Sequence, residues 1–165
     1  MRYFNQMPVS EIPSRARIDA FLAQRRFAMI GVSRNSSDFS RTLLREFLNR
    51  GYDVIPVHPH CTAMEDRACA ISIAAVSPPV DTVLLMTPPS VTEALVGDCA
   101  AVGVKRIWMY RAAGAGAVSP RAVAFCQANG IDVVPGECPM MFLLGTAWFH
   151  RLHGFVRRIS GTYPG

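Results

Sequence analysis

The sequence predicts an α/β fold: a three-layer, Rossmann-like domain built on a five-stranded parallel sheet. Two observations support this. Five short apolar segments recur along the chain, and segments with helical start and stop residues separate them. Unbroken apolar runs are typical of strands buried on both faces, and alternating strands and helices form parallel sheets through right-handed crossovers. We predict the strand order 3-2-1-4-5, which would put a ligand crevice beside strand one.

The first half of the chain divides at its capping and turn residues. Ser14 precedes a helix of about residues 14–25, and Ser40 is the predicted N-cap of a second helix, which Gly51 ends. One helical turn is expected at about residues 72–76. The predicted strands of the whole chain are residues 27–32, 52–57, 80–86, 106–110 and 131–134.

The later helices have sharper start signals. Ser90 and Glu93 form the S-x-x-E pattern of a capping box, which predicts the start of the third helix. Ser119 followed by Pro120 predicts the start of the fourth, because serine caps a helix and proline suits its first position. Residues of about 140–158 are predicted to form a C-terminal helical extension.

Composition limits the class of protein. Of 165 residues, 50% are hydrophobic and 18% are charged, so we expect one folded domain over residues 1–165, with its core at about 27–141. The net charge is +5, and Lys105 is the single lysine, so nearly all cations are guanidinium groups. No nucleic-acid-binding module is readable in the sequence, so nucleic acid is not an expected partner. No apolar run reaches the roughly 18 residues that span a bilayer, so a membrane is not expected either.

Cysteine usage and the N-terminus indicate a reducing compartment. The five cysteines form an odd set without a CxxC motif, which argues against a disulfide scaffold. Residues 1–26 carry charges and prolines and lack the apolar centre of a signal peptide. We therefore expect a cytoplasmic protein.

The loop after the first strand has the features of an anion site. Residues 31–40 combine a glycine, several hydroxyl groups and a helix N-terminus, whose amides and dipole attract anions. Arg34 and Arg41 would add charge-assisted hydrogen bonds to a phosphate. The sequence therefore predicts a ligand that carries phosphate.

The motifs that this loop lacks narrow the choice of nucleotide. It has neither G-x-G-x-x-G nor the G-K-[ST] ending of a P-loop, which argues against a nucleoside triphosphatase. An NAD enzyme should have an acid at the end of strand two, but that end is Val57-His58, and Asp53 lies at the strand's start. A histidine there would tolerate a phosphorylated ribose, as in NADP or coenzyme A.

Short motifs in a fixed order carry a family resemblance. They are residues 28–33 with Asn35 and Ser40, residues 51–57 with Pro59, Val80-Asp81, Ile107-Trp108 and Cys138-Pro139-Met140. In this order and spacing, the chain resembles the small coenzyme A-binding proteins. The same domain also opens the alpha subunit of succinyl-CoA synthetase and the ADP-forming acyl-CoA synthetases. The resemblance covers about residues 27–141.

The resemblance implies coenzyme A or an acyl-CoA as the ligand, with NADP less favoured. It implies a pyrophosphate near Gly31, Ser33 and Ser40, and an adenosine bordered by residues 57–58 and flanked by residues 86–88. The full set of predicted binding residues is Gly31, Val32, Ser33, Arg34, Asn35, Ser40, Arg41, Val57, His58, Met86, Thr87 and Pro88.

The chain also departs from the family pattern. The family tends to have asparagine where His58 stands, arginine near Asp38, a basic residue near Thr87, and Gln-Gly at Tyr110-Arg111. By this resemblance, residues 1–165 are not expected to include the second domain that carries the phosphorylated histidine of the synthetases. No catalytic residue is therefore predicted, and the ligase reaction is not expected of this chain alone.

Three functions remain open on the sequence. The first is a coenzyme A-binding protein, non-catalytic by itself, that acts as a sensor, carrier or subunit. The second is an NAD(P)-binding oxidoreductase or redox sensor. The third is an interaction subunit that joins a ligase-like partner, or a second copy of itself, through the C-terminal helix.

Two other groups of residues have weaker chemical patterns. Cys138 would be a reactive thiolate if a helix N-terminus lowered its pKa, although a buried cysteine in a turn is the commoner case. Residues 58–61 and the pair His150 and His153 could bind a metal, but neither set has further ligands at zinc spacing. No metal site is predicted.

Overall fold

The structure, a computed structural model, describes residues 14–143 and contains a five-stranded parallel sheet flanked by helices. The sheet strands are β1 (Arg26–Ile30), β2 (Asp53–Val57), β5 (Thr82–Leu85), β6 (Arg106–Met109) and β7 (Asp132–Pro135), and a small hairpin comprises β3 (Ala63–Met64) and β4 (Arg67–Ala68). The helices are α1 (Arg15–Leu22), α2 (Phe39–Asn49), α3 (Pro89–Ala101) and α4 (Pro120–Ala128). Short 3-10 turns cover Ile73–Ala75 and Pro139–Met141. The predicted α/β fold class is confirmed.

The predicted strand order is wrong in one respect. The observed order is β2-β1-β5-β6-β7, so the third long strand lies beside the first instead of outside the second. All four residues of β5 are buried, which suits a central strand, whereas β2 has partly exposed positions. Pro56 in β2 has no N–H for a ladder bond, and proline is tolerated at the edge of a sheet. An isolated parallel bridge between Val57 and Ala70 covers part of that edge.

Two hydrophobic layers hold the sheet. On one face, aromatic side chains from the sheet, α1 and α2 pack edge to face, and Trp108 is at their centre with its ring 5.2 Å from that of Phe21. The indole N–H of Trp108 donates to the Gly136 carbonyl at 2.8 Å, so its one polar atom is satisfied in the core. On the other face, aliphatic residues and the thiols of Cys99 and Cys126 pack under α3 and α4.

Two of the predicted helix starts are confirmed. Ser14 caps α1 by accepting from the Arg17 N–H, and Ser119 caps α4 by accepting from the Ala122 N–H, with Pro120 at the first helical position. The helical turn expected near residues 72–76 is also present. The predicted C-terminal helix, beyond residue 143, lies outside the described residues.

The other two predicted caps are wrong. Helix α2 begins at Phe39 and is capped by Asp38, not by Ser40. Helix α3 begins at Pro89 without a side-chain cap, so Ser90 lies within its first turn and forms no capping box. Proline at the first position already has a helical φ and no orphan N–H, which removes the need for Ser90 as a cap.

The β3–β4 hairpin has no sequence signal strong enough to predict it. Each strand has two residues, and the turn places Glu65 at φ 48° and Asp66 at φ 57°. Two successive positive φ values define a type I′ turn, which usually needs Asn or Gly. Met64, 2% exposed, anchors the hairpin in the aromatic layer. Within residues 14–143, no helix is long and apolar enough to cross a membrane.

Gly31 lies where β1 ends and meets the end of β5. Its φ is 94°, and a Cβ built there would lie 2.7 Å from the Met86 carbonyl carbon. The neighbouring Met86 N–H donates to the Ile30 carbonyl at 2.8 Å, which holds the two segments together. This close approach requires a residue without a side chain.

We expect Gly31→Ala to lower the free energy of unfolding by about 2–4 kcal/mol, because its methyl group would strain the backbone and overlap Met86. Gly97→Ala is the matched control: Gly97 lies within α3 with nothing within 4 Å of an added Cβ. That control should be neutral or gain about 0.5–1 kcal/mol from its helical propensity. Urea unfolding measures both, and equal losses in the two variants would contradict the close-packing argument.

Candidate functional site

The candidate site lies at the carboxyl edge of the sheet, where three loops begin side by side. In the sheet, Ile30 at the end of β1 pairs with Val57 of β2 on one side and Leu85 of β5 on the other. The predicted binding residues therefore lie in the loops that follow β1, β2 and β5, at the last residue of β2 and in the first turn of α2. In open parallel sheets, ligands bind at this edge, at the point where the strand order reverses. Here that point lies between β1 and β5.

The β1–α2 loop is held by its own polar side chains. The Ser33 N–H donates to Ser40 Oγ at 2.9 Å, the Asn35 N–H to Ser33 Oγ at 3.1 Å, and the Ser37 N–H to Asn35 Oδ1 at 3.0 Å. Ser40 is 3% exposed, so its hydroxyl group holds the loop from the buried side. These three side chains fix where the backbone amides of the loop lie.

Asp38 places a carboxylate at the N-terminus of α2. Its Oδ1 accepts from the Ser40 N–H at 2.8 Å and from the Ser40 hydroxyl at 2.5 Å. These hydrogen bonds hold the pKa of Asp38 below its ordinary value of 3.8, against a smaller opposing effect of burial. The predicted anion site at this helix terminus therefore already contains one charged oxygen acceptor.

Several backbone donors of the loop remain for a ligand. The N–H groups of Arg34, Ser36 and Phe39 donate to no acceptor in the part of the chain from residue 14 to 143. Their neighbours Ser33, Asn35, Ser37 and Asp38 all donate within the loop. Arg34 itself is exposed. The loop thus combines free N–H groups with a guanidinium group, a combination suited to phosphate oxygens.

Glu65 neutralises the arginines of α2, which the sequence analysis did not foresee. One Glu65 oxygen lies 2.8 Å from both Arg41 Nη2 and Arg45 Nη1. Burial acts to raise the pKa of Glu65, but hydrogen bonds and positive charge from the two arginines hold it below its usual value. Arg41 Nη1 also lies 3.3 Å from the Arg34 carbonyl, so Arg41 braces the loop from behind. Its charge is matched within the protein, whereas the guanidinium of Arg34 is not paired with an acid among the described residues.

His58 follows β2 and faces Arg34. Partial burial, the charge of Arg34 and the nearby His60 lower the pKa of His58 below 6.5. The ring is therefore neutral at neutral pH. Its Nδ1 accepts from the His60 N–H at 3.0 Å, which leaves the proton on Nε2 as a hydrogen-bond donor. His58 can thus donate to a ligand without adding a full charge.

A second cluster at the same edge was not predicted as binding residues. Tyr110, which follows β6, has its ring 5.7 Å from that of Phe39, and Phe39 is 36% exposed. Burial raises the pKa of Tyr110 to about 12, with smaller contributions from Cys138 and Asp38. The sequence did show that Tyr110 stands at the end of a predicted strand and that Phe39 precedes a predicted helix. It did not show that the two side chains lie close together.

Thr87 and Cys138 are enclosed at this edge. The Thr87 hydroxyl lies 2.8 Å from the Thr92 hydroxyl inside α3, and Thr87 is 8% exposed. Cys138 is 5% exposed, and burial raises its pKa to about 11. The thiol is therefore protonated at neutral pH, which argues against the hypothesis of a reactive Cys138. No group of three metal-ligating side chains occurs within residues 14–143, and His150 and His153 lie outside that range.

Comparisons with known proteins identify related sequences and folds. A family model for the CoA binding domain matches residues 25–143. A conserved hypothetical protein from Pyrococcus furiosus is 24% identical, with a TM-score of 0.64 over 72% of this chain and 99% of that one. A hypothetical protein from Pyrococcus horikoshii OT3 is 21% identical, with a TM-score of 0.71 over 85% of this chain and 94% of the other.

A larger protein contains the same fold as one part. The dinucleotide-forming acetyl-coenzyme A synthetase 1 of Ca. Korarchaeum cryptofilum, in its apo form, is 22% identical with a TM-score of 0.58. The match covers 66% of this chain but 25% of the synthetase. At these identities, the structural similarities establish the fold.

We expect Asp38→Ala to lower the free energy of unfolding by about 1 kcal/mol near pH 7, because α2 loses its cap. Asp38→Ser retains a capping oxygen and should lose less. The pKa of Asp38 is lower in the folded protein than its ordinary value of 3.8. Its stabilisation is therefore complete above that value and is lost as the pH falls through the folded-state pKa.

The deficit of Asp38→Ala relative to the unsubstituted protein should accordingly shrink at acid pH. Urea unfolding curves recorded at a series of pH values measure this difference. A deficit that stays constant down to about pH 3 would show that the carboxylate does not act as a charged cap.

Proposed function

Because the chain belongs to the family of CoA binding domains, we propose that it binds coenzyme A or an acyl-CoA at the carboxyl edge of its sheet. In this proposal the protein is a sensor, carrier or subunit and has no complete catalytic apparatus of its own. It acts in the reducing cytoplasm, which its five free cysteines support. In the same proposal the predicted C-terminal helix joins a ligase-like partner or a second copy of the chain.

The observation that carries the proposal is the set of free donors in the β1–α2 loop. The N–H groups of Arg34, Ser36 and Phe39 have no acceptor within residues 14–143, and Arg34 in the same loop has an exposed side chain. A pyrophosphate has several charged oxygens and can accept from such a group of donors at once. Gly31, packed against Met86 at the end of β1, turns the chain into this loop and so determines where its N–H groups lie.

The end of β2 supports coenzyme A over NAD. An NAD site needs a carboxylate there to accept from the ribose hydroxyls, whereas this chain has His58, a neutral donor, near the cation of Arg34. The acid in β2 is Asp53, which bonds Arg26 and Arg67 at the start of the strand. A phosphorylated ribose would therefore find a donor and a positive charge at this end.

The aromatic pair of Phe39 and Tyr110 supports a binding position for the pantetheine arm of the ligand. The pair lies on the β6 side of the loop, away from His58 at the end of β2. With the adenosine near His58 and the pyrophosphate at the loop, the pantetheine arm would extend over these two rings. The nearby Cys138 thiol is protonated and buried, so no covalent step is assigned to it.

We expect coenzyme A to raise the thermal unfolding temperature of the protein and NADP to raise it little. A ligand at 100 times its dissociation constant adds about 2.7 kcal/mol to the free energy of unfolding. Differential scanning fluorimetry over a concentration series of both ligands measures this, and native mass spectrometry identifies any ligand retained during purification. Protection by NADP alone, or no shift with millimolar coenzyme A, would overturn the proposal.

We expect Arg34→Ala to weaken coenzyme A binding about tenfold or more, because a charged hydrogen bond to phosphate is lost. Arg17→Ala is the matched control, since Arg17 is also exposed but lines a cavity with Arg106 and Asp132 at the opposite edge of the sheet. Calorimetric titration should give the control variant an unchanged affinity. Equal affinities in both variants would exclude Arg34 from the site.

A further inference from the structure

Two cysteines lie together where the β3–β4 hairpin begins and ends. The Cys69 N–H donates to the Thr62 carbonyl at 2.9 Å, so the two strands of the chain are already paired beside Cys61. Because Cys61 directly precedes Thr62, the two cysteines lie across the base of the hairpin, and the Cys61 thiol is near enough to raise the pKa of Cys69. Cys61 Sγ lies 3.2 Å from the Ala63 carbonyl, which keeps its side chain over the hairpin. The two thiols thus lie close together at the base of the hairpin.

This pair differs from the other cysteines in its access to solvent. Cys61 and Cys69 are partly exposed, whereas Cys99 and Cys126 are 0% exposed and Cys138 is 5% exposed. A dissolved oxidant therefore reaches the hairpin pair without unfolding the protein. Oxidation of a thiol depends on this access as well as on its ionisation.

We propose that Cys61 and Cys69 form a reversible two-electron redox site, whose oxidised state is a disulfide across the base of the hairpin. Hydrogen peroxide is the oxidant class that balances the step. The thiolate of one cysteine attacks a peroxide oxygen, the O–O bond breaks, and a sulfenic acid and one water result. The sulfur of the other cysteine then attacks the sulfenic sulfur, the S–O bond breaks, and the S–S bond forms as a second water leaves. The two thiol protons end in the two waters.

The surroundings of Cys61 and Cys69 determine how fast these two thiols are oxidised. Burial and the neighbouring Cys61 raise the pKa of Cys69 to about 11, while the positive charge of Arg41 acts in the opposite direction. As for Cys138, the raised pKa leaves the Cys69 thiol protonated at neutral pH and slows its oxidation, so the pair is distinguished by its access to solvent and by the proximity of the two cysteines. The two cysteines lie across the base of one hairpin, so the second step is intramolecular and proceeds before a second peroxide encounters the sulfenic acid. The proposal does not depend on coenzyme A binding.

The test uses the folded, full-length protein treated with hydrogen peroxide and then alkylated. Trypsin cleaves after Arg50, Arg67 and Lys105, so Cys61 and Cys69 fall in separate peptides, 51–67 and 68–105. We expect these peptides to be joined, with fragmentation locating the bond at Cys69 and not at Cys99. After unfolding, three of the five cysteines should still react as thiols, and dithiothreitol should restore all five.

Single substitutions distinguish oxidation at Cys61 and Cys69 from general oxidation of the protein's thiols. Cys61→Ser and Cys69→Ser should each abolish the cross-link, and both positions are partly exposed, so the variants should fold. Cys126→Ala is the control and should form the cross-link at the same rate as the unsubstituted protein. The proposal is overturned if Cys61 and Cys69 stay reduced, if each is oxidised without a cross-link, or if the disulfide joins two chains on a non-reducing gel.

Discussion

The pairing of β1 with β5 is the contact on which the carboxyl edge depends. It brings the end of β1 so close to Met86 that only a glycine fits at position 31, where an added Cβ would lie 2.7 Å from the Met86 carbonyl carbon. Gly31 then turns the chain with a φ of 94° into the loop that precedes α2. The direction of that turn determines which backbone amides border the crevice. A side chain at this position would separate the two strands, because packed backbones yield little to overlap.

Internal carboxylates reduce the positive charge at this edge. Asp38 caps α2, and Glu65 is shared by Arg41 and Arg45. The basic character of the helix is therefore largely balanced within the protein, and the remaining attraction for an anion rests on Arg34 and on oriented N–H groups. Such donors recognise the geometry of phosphate oxygens as well as their charge. A site of this kind favours ligands with several adjacent oxygens over single anions.

Local sequence patterns were sufficient to predict most of the fold. The five sheet strands were predictable because each centres on a short run of apolar residues, which tends to be buried in a sheet. The starts of α1 and α4 were predictable because Ser14 and Ser119 cap their own helices by local hydrogen bonds. The ordered short motifs also identified the family, which the match over residues 25–143 bears out. The part of the site that follows β1 was predictable on the same local grounds, since a glycine, hydroxyl groups and a helix start adjoin one another.

The sequence by itself determined the five sheet strands, two of the four helix caps and the loop after β1, because these depend on residues close together along the chain. Only the tertiary structure decided that β5 inserts beside β1, since that choice depends on which strand can be buried on both faces. It also decided the role of Arg41, because its partner Glu65 lies 24 residues away on an unpredicted hairpin. The proximity of Cys61 to Cys69 depends on the same hairpin. Interactions between distant segments are set by the packing of whole elements, which local residue patterns do not specify.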